Sequence, residues 1–130
     1  MLVAVDFDGT IVEHKYPEIG KEKPFAIEVL KKLSDEGVKV VLWTIREGKY
    51  LDEAIEFCRS RGLEFYAVNN ELPNNSLFAK APSSRKIRAD FYIDDRNIGG
   101  LPDWGEIYEL ISQKRFEKSR KRRLRHIFKS

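Results

Sequence analysis

The sequence predicts an α/β fold in which helices cover a parallel β-sheet on both faces, giving three layers. Two observations predict it. Short apolar runs rich in β-branched residues alternate along the chain with longer segments of helical periodicity, and several of these helical segments end at glycine. The 130 residues are enough for one domain and too few for two ordinary ones, and the chain contains no internal repeat.

The first strand and the first helix lie near the start of the chain. The run LVAVDF is apolar and β-branched and stops at Gly9, which is typical of a buried, central strand of a parallel sheet. After an irregular stretch, Pro24 can occupy the first turn of a helix that ends at Gly37. Its apolar residues follow helical spacing: Ala26, Val29, Leu30 and Leu33.

Further strands and helices follow in alternation. VKVVLWT predicts a second strand, and a helix from about Lys49 to Arg61 is closed by Gly62. EFYAV and ADFYIDD predict the third and fourth strands, and residues 69–83 between them are rich in turn formers. A last helix has its inner face marked by Trp104, Ile107, Tyr108 and Ile111.

Composition excludes several classes of protein. Hydrophobic residues make up 42% and charged residues 35%, as in a globular protein rather than a disordered one. No segment approaches the roughly 20 apolar residues of a membrane helix, and the opening residues lack a secretory signal, so we expect a cytoplasmic protein without membrane contact. Cys58, the only cysteine, falls on the apolar stripe of a helix and is interpreted as a buried packing residue.

The end of the chain is strongly basic. Residues 114–130 carry nine Lys and Arg against one Glu, which leaves a net charge of −5 on residues 1–113. We therefore divide the chain into a domain, 1–113, and a basic helical extension, 114–130. The extension has three open interpretations: a solvated helix end, a segment that binds RNA, DNA or a polyanionic substrate, or a helix whose apolar face (Leu124, Ile127, Phe128) docks on another chain, such as a second copy of this one.

Carboxylates follow two of the predicted strands. Asp6 and Asp8 end the first, and Asp94 and Asp95 end the fourth. Parallel strands present their carboxyl ends at one edge of the sheet, where ligands bind, so these four side chains should converge. Because carboxylates so close repel one another, a divalent cation is the simplest compensation, and Mg²⁺ prefers oxygen ligands.

These motifs resemble those of the haloacid dehalogenase (HAD) superfamily. The string DFDGT, Thr44 after the second strand, a lysine ahead of the fourth strand and the pair Asp94–Asp95 are similar to its four motifs, in the same order, across residues 1 to about 111. The resemblance implies a HAD-like, Rossmann-like fold. It also implies a Mg²⁺-dependent phosphatase that forms an aspartyl-phosphate, acting on a small phosphorylated metabolite such as a sugar or nucleotide phosphate.

The resemblance implies a role for each acidic residue. Asp6 is the expected nucleophile, which attacks phosphorus. Asp8 is the expected general acid and base, and its backbone carbonyl is expected to bind Mg²⁺. Asp94, Asp95 or both are expected to hold the metal, directly or through water, and Asp6 is expected to reach it as well.

The resemblance also implies groups that bind the phosphoryl oxygens. Thr44 is expected to donate a hydrogen bond to one of them. A lysine is expected to hold the same group, and Lys86 is the choice over Lys80 and Arg85 because SSRK leads directly into the fourth strand. Lys80 stays open as the alternative.

No cap domain is expected over the site. About 33 residues separate Gly9 from Trp43, and most of them are needed for the first helix. The resemblance places a short turn and hairpin in residues 11–23, beside the site. Candidate contacts to the leaving group are His14, Lys15, Tyr16 and Arg46, and Arg46 is also a candidate phosphate ligand.

Two other functions compete with the phosphatase. A phospho-acceptor module similar to response-regulator receiver domains would share the layout, but receivers carry their acceptor aspartate on a later strand, whereas Asp-x-Asp comes first here. The other is a nucleic-acid-associated phosphatase or binding protein, recruited by the basic extension.

Overall fold

The computed structural model describes residues 1–72 and 87–128. Within these residues the chain forms four strands and three helices in the predicted alternation. They are β1 (Leu2–Val5), α1 (Ala26–Asp35), β2 (Lys39–Leu42), α2 (Gly48–Arg59), β3 (Ala67–Val68), β4 (Phe91–Ile93) and α3 (Trp104–Phe128). The strands are shorter than the apolar runs that predict them, although backbone N–H groups just beyond their ends, in Asp6, Trp43 and Asn69, still donate to carbonyls of the neighbouring strands.

The four strands form one parallel sheet with the order β3-β2-β1-β4, so the α/β prediction and the central position of β1 are confirmed. Val5 at the end of β1 lies beside Leu42 of β2 and Ile93 of β4. The residues that follow these three positions therefore leave the sheet at the same edge. This register is what brings distant parts of the sequence to one site.

One face of the sheet carries the main hydrophobic core. All three helices contribute buried side chains to a single cluster, together with the strand residues Val3, Val5, Val40 and Leu42. Strand side chains alternate, so Val41 and Ala67 point to the opposite face and pack with Ile87. No described helix joins that second cluster, and residues 73–86 lie outside the described part, so the third layer stays a prediction.

Helix α3 continues from the core directly into the basic extension. Its first turns bury Trp104, Ile107 and Ile111, and Arg115 then pairs with Glu36 at 2.7 Å. Residues 118–128 are exposed. Among the described residues, no helix is both long and apolar enough to cross a membrane.

Cys58 lies in the main core and has no exposed surface. Burial raises the pKa of its thiol to about 12, so the side chain stays protonated at neutral pH. The interpretation of Cys58 as a buried packing residue is confirmed.

Candidate active site at the carboxyl end of the sheet

Three of the four predicted carboxylates form a cluster. Asp6 follows β1, and Asp94 and Asp95 follow β4, its neighbour in the sheet. One carboxylate oxygen from each of the three lies within 4.8 Å of the other two. All three side chains are partly buried. The parallel pairing of β1 with β4 therefore creates an acidic cluster from residues nearly ninety positions apart.

Local hydrogen bonds orient the cluster. The backbone N–H of Phe7 donates to Asp6 Oδ1 at 2.8 Å. The backbone N–H of Asp95 donates to Thr10 Oγ1 at 3.1 Å, and Trp104 Nε1 donates to the carbonyl of Thr10 at 3.1 Å. Thr10, the last residue of DFDGT, thus ties the turn after β1 to the loop after β4 and to α3.

The cluster disfavours further negative charge. Burial raises the pKa of Asp6 to about 6. The hydrogen bond from the Phe7 N–H opposes this rise, whereas the negative charges of Asp94, Asp95 and Asp8 add to it. Three hard carboxylate oxygens at this spacing are a donor set that suits Mg²⁺. The residues present therefore fit the metal that the sequence predicts.

Asp8 lies outside this cluster and forms an ion pair with Arg46. Arg46 Nε donates to Asp8 Oδ2 at 2.8 Å, and Arg46 Nη2 donates to Asp8 Oδ1 at 2.7 Å. Both side chains are almost completely buried, at 0% exposed for Arg46 and 10% for Asp8. The metal contact expected of the Asp8 backbone carbonyl stays a prediction.

Arg46 is positioned differently from the sequence prediction. Its remaining N–H groups donate to backbone carbonyls: Nη1 to Pro17 and Tyr50, both at 3.2 Å, and Nη2 to Glu18 at 2.9 Å. All five N–H groups of the guanidinium are thus used within the protein. Because none is left to reach a ligand, the structure corrects Arg46 from a candidate phosphate or leaving-group contact to an interior residue that holds Asp8.

A cavity of about 370 Å³ opens above the acidic cluster, a size common for small-molecule sites. Its lining brings together several of the predicted site residues, with contributions from β1, β2 and β4 loops. The lining residues are Asp6, Asp8, His14, Tyr16, Trp43, Thr44, Ile45, Asp94 and Arg96.

Thr44 lies on the cavity wall, as the sequence predicts. Its backbone N–H donates to Asn69 Oδ1 at 2.8 Å, which fixes the loop after β2. Its Oγ1 accepts the backbone N–H of Arg46 at 3.1 Å. Since that oxygen acts as an acceptor, the hydroxyl hydrogen remains able to donate to a ligand in the cavity.

The hairpin expected in residues 11–23 is present and supplies one wall. The N–H of Glu13 donates to the carbonyl of Lys21 at 2.7 Å, and Val12 bridges Glu22 in antiparallel fashion. Of the contacts predicted on this hairpin, His14 and Tyr16 line the cavity, whereas Lys15 is exposed and does not.

The predicted phosphate-binding lysine lies outside the described residues. This holds for Lys86, for its alternative Lys80 and for Arg85. The choice between Lys86 and Lys80 therefore stays a prediction.

Arg96 is a cavity residue that the sequence reasoning missed. It is exposed, lines the cavity beside Asp94, and its guanidinium has no ion-pair partner among residues 1–72 and 87–128. Its backbone N–H donates to Asp94 Oδ1 at 2.9 Å, which fixes where the side chain leaves the loop. The sequence feature that could have identified Arg96 is its position directly after the acidic pair at the end of a strand, in YIDDR.

Comparison with known proteins gives one informative match. No protein-family model matches the chain, and neither does any curated protein. A solved structure of a conserved protein coded by a locus of Bacteroides thetaiotaomicron is similar, with a TM-score of 0.79 and 60% sequence identity. The similarity covers 88% of this chain and 91% of the other. The chain therefore belongs to the same family as this conserved Bacteroides thetaiotaomicron protein.

Proposed function

We propose that this protein is a Mg²⁺-dependent phosphate monoester hydrolase of the HAD type, acting through an aspartyl-phosphate on a small phosphorylated metabolite in the cytoplasm. One observation carries the proposal. The carboxylates of Asp6, Asp94 and Asp95 meet within 4.8 Å, and Asp6 and Asp94 line a cavity shared with Asp8 and Thr44. This combination offers a nucleophile, a metal site, a second acid and a hydroxyl donor around one small volume.

The reaction proceeds in two steps. In the first, an oxygen of Asp6 attacks phosphorus and the bond from phosphorus to the leaving oxygen breaks. The departing alkoxide takes a proton from Asp8, which has taken it up from solvent on an oxygen lone pair that the two hydrogen bonds from Arg46 leave free. In the second, Asp8 takes a proton from a water molecule, which attacks the phosphorus of the acyl phosphate and releases inorganic phosphate. Asp6 is regenerated as a carboxylate. When bound, Mg²⁺ would neutralise charge on the phosphoryl oxygens.

Other residues bind the substrate. The hydroxyl of Thr44 donates to a phosphoryl oxygen, and Lys86 supplies a positive charge to the same group. His14 and Tyr16 on the hairpin contact the leaving group, and Arg96 provides a cation at the cavity wall. The connections from β1 to α1 and from β2 to α2 are fully described, and neither contains an inserted domain that would close over the cavity.

The decisive experiment replaces the nucleophile. Asp6→Asn keeps the acceptor for the Phe7 N–H, so the variant should remain folded while Mg²⁺-dependent hydrolysis of a generic aryl phosphate is abolished. Asp35→Asn, an exposed acid at the end of α1, is the matched control and should keep full activity. Beryllofluoride should bind the wild-type protein only with Mg²⁺. Full activity of Asp6→Asn, or binding of beryllofluoride without metal, would contradict the proposal.

The exposed basic part of α3 favours a second function, recruitment to nucleic acid. Between residues 114 and 128 the helix carries eight Lys and Arg and one Glu, and most of these side chains are exposed. Such a surface attracts phosphates by releasing counterions. We therefore keep a nucleic-acid-associated phosphatase as the alternative to an enzyme that acts on free metabolites.

A further inference from the structure

Arg46 is the most completely bonded side chain of the site. A buried guanidinium costs several kcal/mol in desolvation unless an opposite charge and hydrogen-bond acceptors compensate it. Here Asp8 accepts two parallel bonds, at 2.7 and 2.8 Å, and three backbone carbonyls accept the remaining N–H groups. Bidentate, charge-assisted pairs of this kind fix the plane of the carboxylate as well as its position. The Asp8 carboxylate is therefore held in one orientation.

The same guanidinium joins three separate parts of the chain. Asp8 belongs to the turn after β1, the carbonyls of Pro17 and Glu18 belong to the hairpin, and the carbonyl of Tyr50 lies in the first turn of α2. The hairpin segment next to those carbonyls carries Tyr16, which lines the cavity. A single side chain thus sets the position of Asp8 relative to the wall that meets the leaving group.

The two members of the ion pair differ in their access to the cavity. Asp8 lines the cavity and keeps a small exposed surface, whereas Arg46 is sealed from it. The Asp8 carboxyl group can therefore meet a ligand in the cavity, whereas the guanidinium that fixes its orientation cannot.

We propose that Arg46 is a positioning residue that aims the Asp8 carboxyl group at the leaving-group oxygen. The inference rests on the proposed function. In the first step the proton of Asp8 passes to the alkoxide, which keeps the electron pair of the broken P–O bond. The carboxylate that remains is the one that the Arg46 guanidinium holds by both oxygens. Arg46 itself never touches the substrate.

The test compares two leaving groups in the full-length protein with Mg²⁺. A p-nitrophenolate departs without a proton, whereas a simple alkoxide needs one, so in the first step, which kcat/KM reports, only the alkyl phosphate depends on a well-placed Asp8. General acid catalysis contributes about 10²–10⁴-fold, so Arg46→Met should lower kcat/KM for an alkyl phosphate by about 100-fold or more. For p-nitrophenyl phosphate kcat/KM should fall by less than about 10-fold. Arg46→Lys keeps the positive charge but not the two parallel N–H donors of a guanidinium. Its kcat/KM for the alkyl phosphate should lie between those of wild type and Arg46→Met.

A double variant separates the loss of Asp8 positioning from a loss of folding. Arg46→Met alone leaves the Asp8 carboxylate buried and unpaired, which destabilises the fold. In Asp8→Asn/Arg46→Met that charge is absent, so the protein should fold. If Arg46 acts through Asp8, the double variant should be no slower on the alkyl phosphate than Asp8→Asn alone.

Two results would overturn the inference while leaving the proposed function in place. One is an equal loss on both substrates in the Arg46 variants, which indicates a structural role only. The other is a double variant much slower than Asp8→Asn, which indicates that Arg46 acts independently. If Asp6→Asn still hydrolyses either substrate, or the wild-type protein hydrolyses neither, the proposed function fails and the inference falls with it.

Discussion

Asp95 packs directly against Gly9, so that a Cβ atom added to Gly9 would stand 2.3 Å from Asp95 Oδ2. Gly9 also has a φ of +81°, in the left-handed region that L side chains rarely adopt. The glycine therefore does more than turn the chain after Asp6. Its missing side chain leaves the space in which the Asp95 carboxylate approaches the other two acids.

Gly9→Ala should consequently damage the acidic cluster. Gly37→Ala is the matched control, because Gly37 has a φ of +95° but no atom within 4 Å of an added Cβ. Backbone strain should cost each variant about 1–2 kcal/mol in free energy of unfolding. Only Gly9→Ala should also lose the stabilisation that Mg²⁺ gives, measured by thermal unfolding with and without the metal. Equal responses to Mg²⁺ in both variants would show that Asp95 does not need this space.

Ionisation of Asp6 should destabilise the metal-free protein. The pKa of Asp6 is raised from 3.8 to about 6 in the folded protein, so the unfolded chain loses its proton first as pH rises. The raised pKa therefore lowers the free energy of unfolding. This decrease is absent below about pH 4 and complete above about pH 6. Asp6→Asn removes this decrease and should therefore stabilise the protein at pH 7 in EDTA by about 1 kcal/mol, after solvent screening of this partly buried group.

The pH dependence of the stabilisation by Asp6→Asn shows whether the charge of Asp6 is its cause. Denaturant unfolding of wild type and Asp6→Asn at pH 4 and pH 7 should show the difference only at pH 7. Saturating Mg²⁺ should make the wild type the more stable of the two at pH 7, because the metal stabilises the ionised wild type alone. A difference of the same size at both pH values would exclude the charge of Asp6 as its origin.

Arg96 should contribute to substrate affinity. Its guanidinium lines the cavity and has no ion-pair partner among the described residues, so it can meet an anionic ligand without breaking an existing contact. Arg96→Ala should raise KM for a phosphorylated substrate about 10-fold, with a smaller effect on kcat. Arg96→Lys should recover part of the loss, and Lys15→Ala, an exposed cation outside the cavity, should change neither constant. An unchanged KM in Arg96→Ala would remove this residue from the binding wall.

The basic part of α3 should decide whether the protein binds nucleic acid. Lys118 pairs with Asp90 at 3.6 Å and Arg115 with Glu36, so a truncation would disturb docked residues. Four cations without an ion-pair partner in the described chain are better targets for replacement by Gln: Arg120, Lys121, Arg122 and Arg123. This variant should lose salt-dependent binding to single-stranded RNA, measured by fluorescence anisotropy, and keep hydrolysis of a small aryl phosphate.

The control removes the same charge elsewhere. Four exposed lysines outside the basic extension are replaced by Gln: Lys21, Lys32, Lys39 and Lys49. That protein should bind RNA nearly as wild type does, because only a local cluster of cations displaces many counterions together. Equal binding by wild type and both variants would reject recruitment through α3.

Much of the site follows from the sequence, because it depends on periodicity and on the geometry of parallel sheets. The apolar run before Asp6 and the one before Asp94 each specify a buried strand, and parallel strands end at one edge whatever the loops do. The position of Thr44 at the same edge follows in the same way, because Thr44 comes directly after the apolar run of β2. Their placement around one cavity needed no knowledge of the contacts between loops.

Only the tertiary structure decided what the loop side chains do. Thr44 and Arg46 are two residues apart and both polar, yet one faces the cavity and the other turns inward to meet Asp8, 38 positions earlier. Likewise Asp95 is held by Thr10, 85 positions away. Local sequence sets the path of a strand, whereas the direction of a loop side chain depends on charges and acceptors that only folding brings near. For that reason the chain itself specifies the acidic edge, and only the folded structure shows that Arg46 pairs with Asp8.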